Sequence, residues 1–290
     1  MSTFEDLAEL HIAAEKLLMV PAADEWLLRG SDRRLDEAKF RKVMVDLLSA
    51  VNRSVGITGF VELVRQVEAT ADPVTGKVSP AAGAVVLLAL EQRIDDSVLE
   101  ERISPIMVVL SRAALRSMNA ERELIGLEPL AVLQKAVIPN EEILFREMFP
   151  ELAVSVDGYM VTAVGSHAQA ITPVLVNAAN PASPMAIGPL QRQLRSQVAD
   201  LTVKRATMIA RTETARVYGE TAKETQRTNG ITRSRLATAG DPCPICMEEA
   251  ARGFLSIDEL KPIPLHPNCR CDWIPDVENW LPPMPEVVQA

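Results

Sequence analysis

A chain of 290 residues is long enough for one large or two modest domains and can bury a core without help from metal or disulfides. Hydrophobic residues make up 48% of it but aromatics only 4%, so the core must be built from Leu, Val, Ile, Ala and Met, a mixture that favours helices. The formal net charge of -9 argues against a general nucleic-acid coat, yet residues 191–235 hold ten Lys or Arg against four Asp or Glu, a local +6 that leaves -15 for the remainder.

Phe4, Leu7, Leu10, Ala14, Leu17 and Leu18 recur at helical spacing behind a capping box of Ser2 and Glu5, and Pro21 is expected to end this first helix. The start carries Glu5, Asp6, Glu9 and Glu15 where a signal peptide would be basic and then apolar. A second helical stretch over 32–66 presents Phe40, Val43, Leu47 and Val51 on one face, with interruptions expected at Gly56 and Gly59. Residues 71–80 are turn-rich and read as a linker. Helices over 81–93 and 97–122, the second kinked at Pro105, are apolar almost all round, which marks core helices or a surface for another subunit; the reading here is core. The longest apolar runs, 81–90 and 106–110, fall short of the ~20 residues that span a bilayer, so the expectation is a soluble protein made in a cytoplasm.

Asn140, followed by Glu141 and Glu142, opens a capped helix to Met148. Asp157-Gly158 between β-formers, over Val154 to Val161, is a hairpin signal. Residues 180–189 contain three prolines and a glycine and read as a loop. From Leu190 the chain is strongly helical through Ala222 until Asn229-Gly230 stops it. Ile231 to Thr238 alternates as a strand, Trp273-Ile274 reads as its returning partner, and the tail from Pro275 is proline-rich. The fold class expected is mostly α: a helical N-terminal region over 1–165, with a split near 71–80, then a domain over 166–275 whose helical segment leads into a small α+β zinc-binding module at 238–274, and a tail over 276–290.

All four cysteines lie in a 29-residue window together with one of the three histidines. The window reads Cys243-Pro-Ile-Cys246, a linker, then His266-Pro-Asn-Cys269-Arg-Cys271. Thiolate and imidazole ligands in such pairs make a tetrahedral zinc site, and their clustering in a chain without a secretory start points away from a disulfide framework. Five donors, Cys243, Cys246, His266, Cys269 and Cys271, compete for four positions. The pairs at i, i+3 favour Cys243, Cys246, His266 and Cys269, while Cys271 can replace Cys243 or Cys269 if the second turn curls around the metal. Pro244 and Pro267 stiffen both turns.

A catalytic zinc is the sharper alternative, because Pro242-Cys243-Pro244-Ile245-Cys246 matches half of a zinc-deaminase signature. That chemistry needs a His-x-Glu, and the upstream candidate, His167-Ala168-Gln169, has Gln where a proton shuttle is required. Surplus ligands would also close the position that a catalytic zinc keeps open. Ser166-His167 has no acid partner in view, and there is no glycine-rich phosphate loop. The chain is therefore read as a protein without catalysis and without a small-molecule substrate.

Three blocks in fixed order give the C-terminal third a further meaning: Ile209-Ala210-Arg211-Thr212-Glu213-Thr214-Ala215; Gly240-Asp241-Pro242-Cys243-Pro244-Ile245-Cys246 with Gly253-Phe254 after it; and His266-Pro267-Asn268-Cys269-Arg270-Cys271. In these blocks the chain resembles the phage Mu F-like family of minor head, or head morphogenesis, proteins. The resemblance implies a structural virion protein of a tailed phage, near the portal vertex, assembled in the host cytoplasm, with portal and other head proteins as partners and a link to DNA packaging or ejection. It implies Cys246, His266, Cys269 and Cys271 as the more general ligand set. The chain departs from the family where Arg233-Ser234-Arg235-Leu236 replaces an aromatic residue before the Gly-Asp turn. Arg211, Arg233 and Arg235 are candidate contacts to a partner or to DNA. The alternative function is a zinc-stabilised nucleic-acid-binding protein that uses the basic 191–235 segment.

Overall fold

The computed structural model describes residues 4–72, 75, 77–79, 81–94, 96–129, 146–147 and 150–277, with side chains in the first helix from Asp32 onward. The protein is mostly helical (71% helix) with one small three-stranded antiparallel sheet, as the aromatic-poor, aliphatic-rich composition requires. Helix α1 spans Phe4–Ala69, α2 Ala82–Glu91, α3 Asp96–Leu124, α4 Pro150–Ala178 and α5 Ile187–Thr228. Strand β1 (Arg233–Ala237), the short α6 (Pro244–Ala250), β2 (Leu255–Ser256), a single 3-10 turn (Ile257–Glu259) and β3 (Asp272–Pro275) follow.

The five long helices bury two consecutive cores. One joins Phe40, Met44 and Leu47 of α1 to Ile106 and Leu110 of α3, Met160 of α4 and Ile209 and Tyr218 of α5. The other joins Phe60, Leu63 and Val64 of α1 to Val86 and Leu90 of α2, Leu175 of α4 and Leu190 and Leu194 of α5. Between them α1 breaks at Gly56, whose φ of 71° with ψ of 158° belongs to a region that only glycine enters without strain. By length and composition alone Asp32–Ala69 could cross a membrane; here half of its most apolar stretch is buried in these cores. The domain boundary expected at 165/166 falls within α4, whose two halves serve the two cores, and α5 contributes to both.

Several expectations are corrected. Pro21 does not end the first helix, which runs on through it, and Gly59 is helical, so Gly56 alone makes the interruption. Val154 to Val161 is not a hairpin but part of α4: Leu152, Ala153, Met160, Ala163 and Val164 recur at helical spacing and are buried, and that burial outweighs the local Asp-Gly signal. Pro105 lies inside α3. Of the two apolar helices, α3 is a core helix, while α2 buries Ala82, Val86 and Leu90 and leaves Val85 and Leu88 exposed. The capped helix expected over 140–148 falls largely outside the described residues, as do the Ser2 cap and most of the tail.

The C-terminal half follows the sequence closely. Gly230, at φ 77°, ends α5, and Ile231 N–H returns to the Gln226 carbonyl at 3.0 Å, a helix stop with a left-handed glycine. Strand β1 is central in the order β2-β1-β3, with Leu236 opposite Trp273 and Arg235 opposite Ile274. Its alternation turns Ser234 and Leu236 inward and Arg233 and Arg235 outward.

Candidate metal centre

The module that follows α5 has a third core of its own: Leu236, Ile257, Leu260, Ile263 and Trp273 enclose Cys246, Cys269 and Cys271, and Ala215 of α5 forms its floor. Two local features bring the ligands into that shell. Pro244 occupies the first turn of α6, where a missing N–H costs nothing, and Met247 N–H bonds the Cys243 carbonyl at 3.0 Å, so Cys243 and Cys246 flank one turn. On the other side Asn268 takes φ 65°, a left-handed conformation that Asn tolerates better than most residues. The Cys269 N–H then returns to the His266 carbonyl at 3.1 Å.

Cys243, Cys246, His266, Cys269 and Cys271 thus form clusters that could hold a metal ion. His266 Nε2 lies 3.1 Å from both Cys243 Sγ and Cys246 Sγ, and Cys246 Sγ lies 3.9 Å from Cys269 Sγ. Cys243, Cys246 and His266 make one compact group; Cys246, Cys269 and Cys271 make the other, so Cys246 is common to both. A Zn–S bond of about 2.3 Å implies a tetrahedral S···S edge of about 3.8 Å, which the Cys246–Cys269 pair matches. The two 3.1 Å S···N contacts are hydrogen-bond lengths, a few tenths of an ångström inside such an edge.

The imidazole is oriented for ligation. Its Nδ1 lies 2.7 Å from the Pro267 carbonyl and donates to it, which fixes the tautomer and leaves the Nε2 lone pair toward the sulfurs. All four cysteines are free thiols, three of them buried. Their acidities diverge. The Cys271 thiol donates to Cys269 and holds it down to about 5, and the same bond pushes Cys271 up; burial raises Cys246 to about 12, and a backbone N–H at Cys246 lowers Cys243. Sulfur and one imidazole nitrogen are a donor set that suits a soft or borderline divalent ion.

In the second expected group, Arg211 is held within the fold, while Arg233 and Arg235 are exposed but engaged by neighbouring groups. Arg211 pairs with Glu37 of α1 at 3.1 Å and reaches Asn268 Oδ1 at 3.3 Å. Arg233 donates to the Phe254 carbonyl at 3.2 Å and pairs with Asp276 at 3.6 Å. Arg233 and Arg235 both stack on the Phe254 ring, at 5.7 and 5.5 Å from its centroid.

Sequence reasoning missed the residues that fasten the module to the helices. Asn268 N–H bonds Thr212 Oγ1 at 3.1 Å. Buried Gln226 donates to Glu121 of α3 at 3.0 Å and to the Trp273 carbonyl at 3.3 Å, and accepts from Ser234 at 2.6 Å, joining α3, α5, β1 and β3. Glu249 is buried between Arg252 (2.6 Å) and Lys261 (2.5 Å), which ties α6 to the following loop. Thr212 and Asn268 lie inside the quoted blocks without being ligands, while Gln226 and Glu249 have no motif around them and are marked only as polar residues among apolar helical neighbours. Ser166 and His167 are no catalytic pair: His167 is buried with Nε2 3.2 Å from Asn52 Oδ1, and Ser166 bonds the Ala163 carbonyl and Arg205. No family model, curated protein or solved structure matches the chain.

Proposed function

We propose that this chain is a non-enzymatic minor head protein of a tailed phage, in which one structural zinc ion folds the C-terminal module as an assembly surface near the portal vertex. The resemblance behind this reading rests on three sequence blocks, and the observation that supports it is their convergence. Arg211 and Thr212 of the first block both bond Asn268 of the third, while Cys246 of the second meets His266 and Cys269 of the third. Blocks spread over more than sixty residues of chain thus serve one small structure. Cys and His supply five candidate donors, enough to fill all four tetrahedral positions, which favours a structural role for the ion.

The alternative, a zinc-stabilised nucleic-acid-binding protein, would use the cations of 191–235. Arg211, Arg216, Arg227 and Arg233 are each paired with a carboxylate, which weakens the case for a free cationic stripe. The deciding experiment is quantitation of this protein in purified virions, with zinc measured on the same sample. The expected outcome is a few copies per particle with one zinc per copy; absence from virions rejects the reading. Arg235→Glu, which alters an exposed arginine without removing an ion pair found here, should reduce co-purification with portal protein. A DNA affinity that falls steeply with salt, with no portal binding, would favour the alternative instead.

A further inference from the structure

Resting on the zinc reading above, we propose that Arg33 of α1 is the positioning residue that sets the affinity of the metal centre. Its Nη1 donates to the carbonyls of Arg270 (3.1 Å) and Cys271 (3.2 Å), the last two residues of the His-Pro-Asn-Cys-Arg-Cys turn. The guanidinium sits 5.8 Å from the centroid of the Tyr218 ring and 4.0 Å from Asp272 Oδ2, the outer limit of an ion pair. Its side chain is only 11% exposed, and its Nη2 is buried without a hydrogen-bond acceptor.

A cation so withdrawn from water, with a spare donor, a carboxylate at 4.0 Å and Asp36 beyond the Tyr218 ring, is further stabilised by any added negative charge nearby. The proposed centre provides it. A divalent ion held by three thiolates and a neutral imidazole carries a net charge of about -1, and one of the two residues whose carbonyls Arg33 holds, Cys271, is itself a candidate ligand. Arg33 therefore acts in two ways. Its Nη1, shared between two carbonyls, fixes the backbone at Arg270 and Cys271, and its charge offsets that of the thiolate set.

The same turn of α1 is itself held in place. Asp36 accepts from Tyr218 Oη at 2.8 Å and pairs with Arg116, and Glu37 holds Arg211 against Asn268. Arg33 is thus presented to the metal loop by a fastened helix, and the N-terminal region becomes part of the metal site.

The test uses the full chain loaded with zinc and competed against a chromophoric chelator. Arg33→Met should weaken zinc binding about 10- to 100-fold, the usual effect of removing a supporting contact behind a metal ligand. Arg33→Lys, which keeps the charge but loses the reach and planarity of the guanidinium, should fall between. Arg53→Met, an exposed arginine elsewhere on α1, should match the wild type. A purely packing role would instead lower the melting temperature of metal-free and loaded protein alike and leave zinc affinity unmoved, and that result overturns the proposal. Should Arg33→Met fail to fold, wild-type affinity in Arg33→Lys has the same force. A wild-type chain that takes up no zinc rejects the zinc reading itself, a distinct outcome from equal affinities among zinc-loaded variants.

Discussion

At the scale of single residues, two buried titratable groups oppose each other. Burial lifts Glu213 from its ordinary 4.5 to about 7 despite the Arg216 guanidinium at 3.0 Å. The folded protein keeps that proton where the unfolded chain has lost it, so the stability Glu213 contributes is full below about 4.5 and drains away as pH rises to about 7. His167 runs the other way. Burial first, and the Arg205 charge second, depress it from 6.5 to about 4, so its contribution is full above 6.5 and is lost as pH falls toward 4. Between about 4.5 and 6.5 the two slopes cancel in part. Glu213→Gln should remove one of them, and its urea midpoint should then climb with pH across that window more steeply than the wild type's. A variant that tracks the wild type at every pH would show that folding leaves the acidity of Glu213 unshifted.

At the scale of elements, the docking of the module on α5 depends on a missing side chain. A Cβ at Gly219 would lie 2.8 Å from the Cβ of Ile263, in the module's core. Gly219→Ala should force that contact apart and destabilise the module by about 1–3 kcal/mol, although alanine is the better helix former. Differential scanning calorimetry of the zinc-loaded protein checks this; an unchanged or higher transition contradicts it. Elements were legible in the sequence where one periodicity ran unopposed. The long helix from Leu190, its stop at Asn229-Gly230 and the pairing of β1 with the Trp273 strand are of this kind. Around Asp157-Gly158 two signals competed, and contacts with α5 that no local pattern encodes decided for helix. At the centre the donors were legible because Cys and His announce their chemistry. Arg33, Gln226 and Asn268 were not, since their roles arise from chain segments far apart in sequence.

At the scale of the whole molecule, the zinc clasp and the helical body should separate on unfolding. Leu190, Leu194, Ile209, Val217 and Tyr218 of α5 belong to the helical cores, so the helix does not owe its burial to the module. From the sequence, loss of the clasp would be expected to open the chain from Leu190 to Gly240; the burial of α5 confines the effect to residues beyond Ile231. Chelation, or Cys246→Ser, which removes the donor common to both groups, should give new proteolytic cuts between Arg233 and Trp273 while α5 stays protected. Mass spectrometry of limited digests distinguishes the two patterns. Cuts throughout α5 would mean that the ion supports the entire fold, and no new cuts would mean that it supports neither part.

The length of α5 has a mechanical consequence. Its 42 residues, at a rise of about 1.5 Å each, make a rod about 63 Å long that carries the module's floor, Ala215, about two-thirds of the way along and a bundle core around Leu190 and Leu194 at its start. A tilt of about 5° about Ala215 would sweep the start of the helix through about 4 Å. Side chains packed as closely as those around Leu190 and Leu194 do not yield that far without rupture. A partner that grips the module thereby sets the orientation of the bundle as well, and torque applied at either is delivered to the other.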